Sequence, residues 1–228
     1  MDSKGQFQGD KKLPLKSPLA KVERRSIDYC VPRFPSWIEG YHLTLTTVLW
    51  SAGLIISGYL AKQDLRWLWL ASGMLFMQWF TDSFDGALGR YRDTGIPKWG
   101  FYMDHFLDFI FMCSILIGYA VLFEGLYRTI FLALVPIFGA FMFNSYLSFA
   151  ATSEFKITFL GMGPTEVRLL IILLNTMIIA FGTDFVEKVL PFIPPITTIV
   201  LVVVVYRTQK YIWQIDREDK KKKQELIM

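Results

Sequence analysis

The sequence predicts an all-α integral membrane protein, with six transmembrane helices preceded by an interfacial amphipathic helix. Three observations predict it. Of 228 residues, 53% are hydrophobic and 16% aromatic, too apolar for an ordinary soluble domain of this length. Several apolar runs reach about 18 residues or more, enough to cross a hydrocarbon core of about 30 Å. The 24 Lys and Arg gather in the two terminal segments and in a few connections between those runs.

The elements follow in chain order. Residues 1–35 form a basic arm without an apolar h-region, so no cleavable signal peptide is expected. Within the arm, Ser17-Pro18 reads as an N-cap followed by a first-turn proline. Leu19, Val22, Ile27 and Cys30 then recur on roughly one face, as in a short helix lying on the membrane surface; a solvated basic arm is the alternative. Residues 36–206 make the transmembrane domain, with spans near 41–60, 67–90, 99–123, 127–151, 165–183 and 189–206. Pro191, Pro194 and Pro195 bend or delay the last span, which could instead run from Pro195 to Trp213. Residues 207–228 end in the charge run DREDKKKKQ, a solvated cytoplasmic tail that can touch anionic lipid.

Six spans place both termini on one side. That side carries 20 of the 24 Lys and Arg, against Lys62, Arg66, Arg128 and Lys188 on the other. The termini and the 91–99 connection are therefore expected in the cytoplasm. Cys30 and Cys113 are far apart in sequence and environment, so no disulfide is expected; Cys30 could take a palmitoyl group, but an inert thiol is favoured. Two histidines, His42 and His105, do not suffice for a His-based zinc site. No nucleic-acid partner is expected.

The stretch TDSFDGALGRYRDTGIPKWGFYMDHFLD, residues 81–108, interrupts this apolar pattern. Asp82, Asp85, Gly86 and Gly89 fall on one face of the second span, with Arg90 following. Gly100, Asp104 and Asp108 form a single stripe on the third. Antiparallel packing brings the two pairs of acids to matching depths, about 7–13 Å from the helix ends at 1.5 Å per residue. A single acid at mid-bilayer costs about 3 kcal/mol or more, and like charges at close range add to that. Protonation, arginine pairing or metal could relieve the repulsion, and two divalent cations would balance four carboxylates. Hard oxygen ligands suit Mg²⁺ or Mn²⁺. Gly86 and Gly89 serve either close ligand approach or helix packing; beside four acids, ligand approach is favoured.

Asp82-x2-Asp85-Gly86-x2-Gly89-Arg90-x9-Gly100-x3-Asp104-x3-Asp108 closely resembles the signature of the CDP-alcohol phosphotransferase family, D-x2-D-G-x2-A-R-x8/9-G-x3-D-x3-D. Seven fixed-type positions are met, and the departure is Gly89 in place of alanine. The six-span layout, cytoplasmic site and interfacial helix match the family as well. The resemblance implies transfer of a substituted phosphate from a CDP-linked donor to an alcohol, with release of CMP, in phospholipid biosynthesis. It implies two divalent metals held by Asp82, Asp85, Asp104 and Asp108, with Asp108 also the general base. Gly86, Arg90 and Gly100 would line the CDP pocket, with Thr94 a weaker phosphate contact, and a homodimer is expected.

The run Pro97-Lys98-Trp99-Gly100-x3-Asp104-His105 is similar to choline and ethanolamine phosphotransferases, as are PSWIEGYHLTLTT (35–47) and GPTE (163–166). That branch joins a CDP-aminoalcohol to diacylglycerol; the other uses CDP-diacylglycerol and an acceptor such as inositol, serine or glycerol phosphate. His105 reads as a packing residue beside the site rather than a catalytic one. Asn144, Ser145 and Ser148 read as interhelical hydrogen-bonding groups. Glu166 and Arg168 open the fifth span and face the cytoplasmic cavity, as terminus charges or as substrate contacts. A membrane cation transporter using intramembrane carboxylates is the alternative function. Against it, the acids cluster at one end and no ionisable relay continues through spans five and six.

Overall fold

The computed structural model describes residues 20–152 and 164–225, with side chains from Arg24 onward. The Ser17-Pro18 cap, Leu19, the side chain of Val22 and Gly163 lie outside the described residues. Among the described residues, eight α-helices follow in order: α1 (Ala20–Cys30), α2 (Gly40–Ala61), α3 (Leu68–Arg92), α4 (Pro97–Leu122), α5 (Gly125–Thr152), α6 (Pro164–Phe181), α7 (Asp184–Val189) and α8 (Ile193–Glu225). Short 3₁₀ turns at Val31–Arg33, Leu65–Trp67 and Leu190–Phe192 join some of them.

α2, α4, α5, α6 and the stretch Asp184–Glu225 are long and apolar enough to cross a membrane. At about 37 Å, α3 has the length too, but Asp82, Asp85, Arg90 and Arg92 interrupt its apolar run. It packs against α2 and α6. Leu45, Val48 and Leu49 on α2, and Ile199, Val202 and Val203 on α8, are exposed. In water such faces would drive association; against lipid they are at home.

The last span begins late, at Ile193, as the delay expected from its prolines anticipates, and it runs on past the expected end at 206 or 213. Pro191 stands in the 3₁₀ turn, while Pro194 and Pro195 occupy the first turn of α8. First-turn prolines forfeit no helical hydrogen bond. The helix then runs without a break through the charged residues to Glu225.

Local chemistry fixes the ends that matter for the site. α2 begins with a capping box, in which the Glu39 side chain accepts from the His42 backbone and His42 Nδ1 accepts from the Glu39 N–H at 3.0 Å. Pro97 opens α4, where its missing N–H costs nothing. Asp93 ends α3 in the left-handed conformation (φ 56°), which Asp tolerates better than most residues. α2 and α4 cross where Gly58 meets Gly118, and a Cβ on Gly118 would lie 2.9 Å from the Leu54 carbonyl oxygen. Small residues permit that close approach.

Two buried clusters hold the ends of the bundle. At the end remote from the acids, Leu68, Tyr119, Phe131, Ile178, Val186 and Leu190 join in one core. At the acidic end, Val31, Leu43, Phe84 and Leu88 pack with Ile27 and Cys30 of α1. The apolar face expected for α1 thus rests on α3. Arg92 fastens the α1–α2 connection by donating to the carbonyls of Phe34 (3.0 Å), Pro35 (2.9 Å), Ser36 (3.2 Å) and Ile38. At the remote end, Lys62 pairs with Glu124 at 3.0 Å and holds its carboxyl below the ordinary carboxylate range.

Candidate functional site

α3 and α4 lead away from the tight 93–96 connection; contrary to the expected direct packing of the two, each packs chiefly on α2, and their polar side chains meet across the space between them. The carboxylates of Asp82, Asp104 and Asp108 come together, with one oxygen of each within 4.8 Å of the others. All three are half-buried. Asp85 lies one turn nearer the helix end and takes the Thr44 hydroxyl of α2 at 2.6 Å, so it stands beside that cluster rather than in it. Arg168, on α6, donates to Asp82 Oδ2 at 2.9 Å. Gln78 Nε2 donates to Asp108 Oδ1 at 3.2 Å.

Two cavities meet at these acids. The smaller, about 300 Å³, contains Gly86, Arg90, Thr94 and Gly100 together with Asp85 and Asp104 in its wall. The larger, about 680 Å³ and mostly apolar, has Asp82, Asp104, Asp108 and Arg168 at one end. Asp104 and His105 border both. Every residue expected to contact nucleotide therefore opens on one space.

The glycines have separate reasons. A Cβ at Gly89 would stand 3.2 Å from the Cα of Gly95, so glycine here lets the α3–α4 turn fold back closely. At Gly100 a Cβ would meet nothing within 4 Å; the space there belongs to the cavity. Thr94 donates to Glu39 Oε2 at 2.6 Å, tying the cavity wall to the cap of α2.

His105 is held at the junction by packing. Its Nδ1 lies 2.7 Å from the Phe101 carbonyl, its ring packs on Phe101, and Tyr146 donates to its backbone carbonyl at 3.0 Å. Asn144 bonds Thr208 of α8 at 3.4 Å, which joins two helices as expected. Ser145 instead donates to the Phe141 carbonyl within α5, and at Ser148 the backbone carbonyl accepts from Thr152 of the same helix, where the sequence predicts interhelical bonds.

Gln78 and Thr44 were not singled out by sequence reasoning. Gln78 had a signal: it precedes Asp82 by one turn, so it extends the acidic stripe inward. Thr44 had none, because its partner is 41 residues away.

Carboxylates drawn from two helices into so small a volume fit a divalent cation, and oxygen donors alone suit a hard ion. The sequence profile of the CDP-alcohol phosphatidyltransferase family matches residues 40–208. The chain belongs to that family. The matched span covers the stripes, both cavities, helices α2 to α7 and the first half of α8. Members are transferases that use divalent metals, acting on a CDP-linked alcohol in phospholipid synthesis. No curated protein and no solved structure is significantly similar to the chain.

Proposed function

We propose that the protein transfers a substituted phosphate from a CDP-linked alcohol to an acceptor alcohol and releases CMP. One observation carries this reading: Asp104 borders two cavities, a smaller and more polar one that Asp85 and Arg90 also line, and a larger, mostly apolar one that Asp82 and Asp108 also line. A water-soluble nucleotide and a lipid chain can approach the same carboxylates from opposite sides. The donor is CDP-diacylglycerol or a CDP-aminoalcohol, and the acceptor a small alcohol or diacylglycerol; in each pairing one reactant is a lipid.

In this reading the CDP moiety occupies the smaller cavity, where the glycines admit its backbone-close approach. Arg90 contacts phosphate with a planar, permanently charged fork, and Thr94 is a second polar contact. Asp82, Asp85, Asp104 and Asp108 would hold two divalent cations, Mg²⁺ or Mn²⁺, which neutralise charge on the pyrophosphate and improve CMP as a leaving group. Asp108 removes the proton of the acceptor hydroxyl. The acceptor oxygen then bonds to the phosphorus that carries the donor alcohol, the bond from that phosphorus to CMP breaks, and CMP leaves with the electron pair. Gln78 donates to one oxygen of Asp108 and so orients its carboxylate.

Both termini and the site face the cytoplasm, as 20 of 24 Lys and Arg on that side favour. A cysteine placed at Thr94 should label only from the cytoplasmic face; labelling from the opposite face would reverse the orientation. The catalytic reading is tested by incubating purified protein with a panel of CDP-linked donors and alcohol acceptors. CMP should appear only where both are present, and its absence across the panel would dismiss the reading.

A further inference from the structure

The larger cavity does not end at the acids. Along α4 it extends from Asp108 to Tyr119, about 16 Å at 1.5 Å per residue. That is close to half of a hydrocarbon core about 30 Å thick, the depth of one leaflet. α5 and α6 supply its sides with Leu134, Phe138, Val167 and Ile171. α6 packs on α3 and α7, whereas among the described residues it forms no extended seam with α5 or α8. A gap between α5 and α6 would open sideways into lipid.

The far end is closed by a separate piece of chain. Phe185, Val186 and Leu190, from α7 and the following 3₁₀ turn, line the cavity there. Val186 and Leu190 also belong to the buried core at that end, at 7% and 4% exposure. The wall beside them is rigid: Tyr119 donates to Asn175 at 2.6 Å, Asn175 donates to Ser72 at 3.1 Å, and Tyr119 stacks on Phe131. A floor set in packed core does not yield as a chain grows longer.

We infer that the α7 segment is a ruler for the lipid reactant: a fatty acyl chain lies in this cavity with its methyl end against Phe185, Val186 and Leu190. The inference rests on the proposed transfer reaction, because the reacting group must reach Asp108 while the chain fills the space below. A chain too long for the floor lifts its reacting end from the acids. One too short leaves apolar wall uncovered, and each methylene missing from an apolar pocket is worth roughly tenfold or more in discrimination.

The test uses full-length protein in detergent or bilayer. Diacylglycerol acceptors and CDP-diacylglycerol donors are each supplied as an acyl-length series, which separates the two sources of the chain. CMP release and equilibrium binding of each lipid are both measured. Val186→Trp should move the preferred length shorter, lowering kcat/KM for the longest chains about tenfold relative to the shortest. Phe185→Ala should move it longer, and carries the test on its own if the bulkier variant does not fold. Length profiles that superpose on the wild type in binding and in turnover would overturn the ruler. If CMP release is absent throughout but the variants still shift the bound chain length, the transfer reaction falls and the ruler stands.

Discussion

Arg168 and Asp82 are joined at 2.9 Å across 86 residues of sequence, and that contact fixes the start of α6 against the acidic stripe of α3. The Arg168 side chain is 11% exposed, so the pair is shielded enough from water to matter. It places one permanent cation among three carboxylates, at the mouth of the apolar cavity.

Arg168→Ala should therefore weaken the site without dismantling it. A hydrogen bond to a charged group contributes about 1.5–3 kcal/mol, so kcat/KM should fall by about tenfold to a hundredfold. Arg168→Lys should recover part of the loss, since the charge returns but the fork does not. Steady-state kinetics on the two variants would check this; equal, wild-type values would remove Arg168 from the site.

Gln78 is 1% exposed and uses its amide nitrogen on Asp108. Gln78→Leu keeps the volume and deletes the donor. With about 1–2 kcal/mol lost at the base, kcat should drop about tenfold while donor KM holds near its wild-type value. Gln78→Asn, shorter but still able to donate, should restore part of kcat. A change in KM alone would show that Gln78 serves packing rather than Asp108.

Arg92 donates to the carbonyls of Phe34, Pro35, Ser36 and Ile38, and lies 3.6 Å from Glu39. Arg92→Ala removes the donors for that connection at one stroke. The expected cost is about 1–3 kcal/mol, read as a lower unfolding midpoint in detergent, and Arg92→Lys should not restore it because one ammonium cannot reach as many carbonyls. Unchanged stability in Arg92→Ala would show that α1 is held by its apolar face alone.

Much of this architecture was legible from periodicity. The spacing of Asp82, Asp85, Asp104 and Asp108 put them on two facing stripes, and the apolar runs located α2 to α6 within a few residues. What escaped was set by packing between distant segments. Thr44 reaches Asp85 only because α2 lies along α3, and Arg92 reads locally as a rim charge until the 34–38 carbonyls fold onto it. The α7 segment escaped for another reason. The prolines that follow it read as a delay of the last span, and α8 does begin late, with Pro194 and Pro195 in the one turn where proline is harmless; the six-residue helix Asp184–Val189 before them is too short to show a helical period.

The central claim is that Asp108, in the larger cavity one turn from the Asp104 that borders both, takes the acceptor's proton while the neighbouring acids hold divalent metal. The direct measurement is CMP release by wild type and Asp108→Asn, each with Mg²⁺ or Mn²⁺ and then with chelator, beside the affinity of each for the CDP-linked donor. Wild type should turn over with metal and stop in chelator. Asp108→Asn keeps the shape and one oxygen ligand but cannot accept the proton, so kcat should fall by about 10²–10⁴ with donor affinity largely retained. Turnover near the wild-type rate in Asp108→Asn, or full CMP release in chelator, would contradict the account.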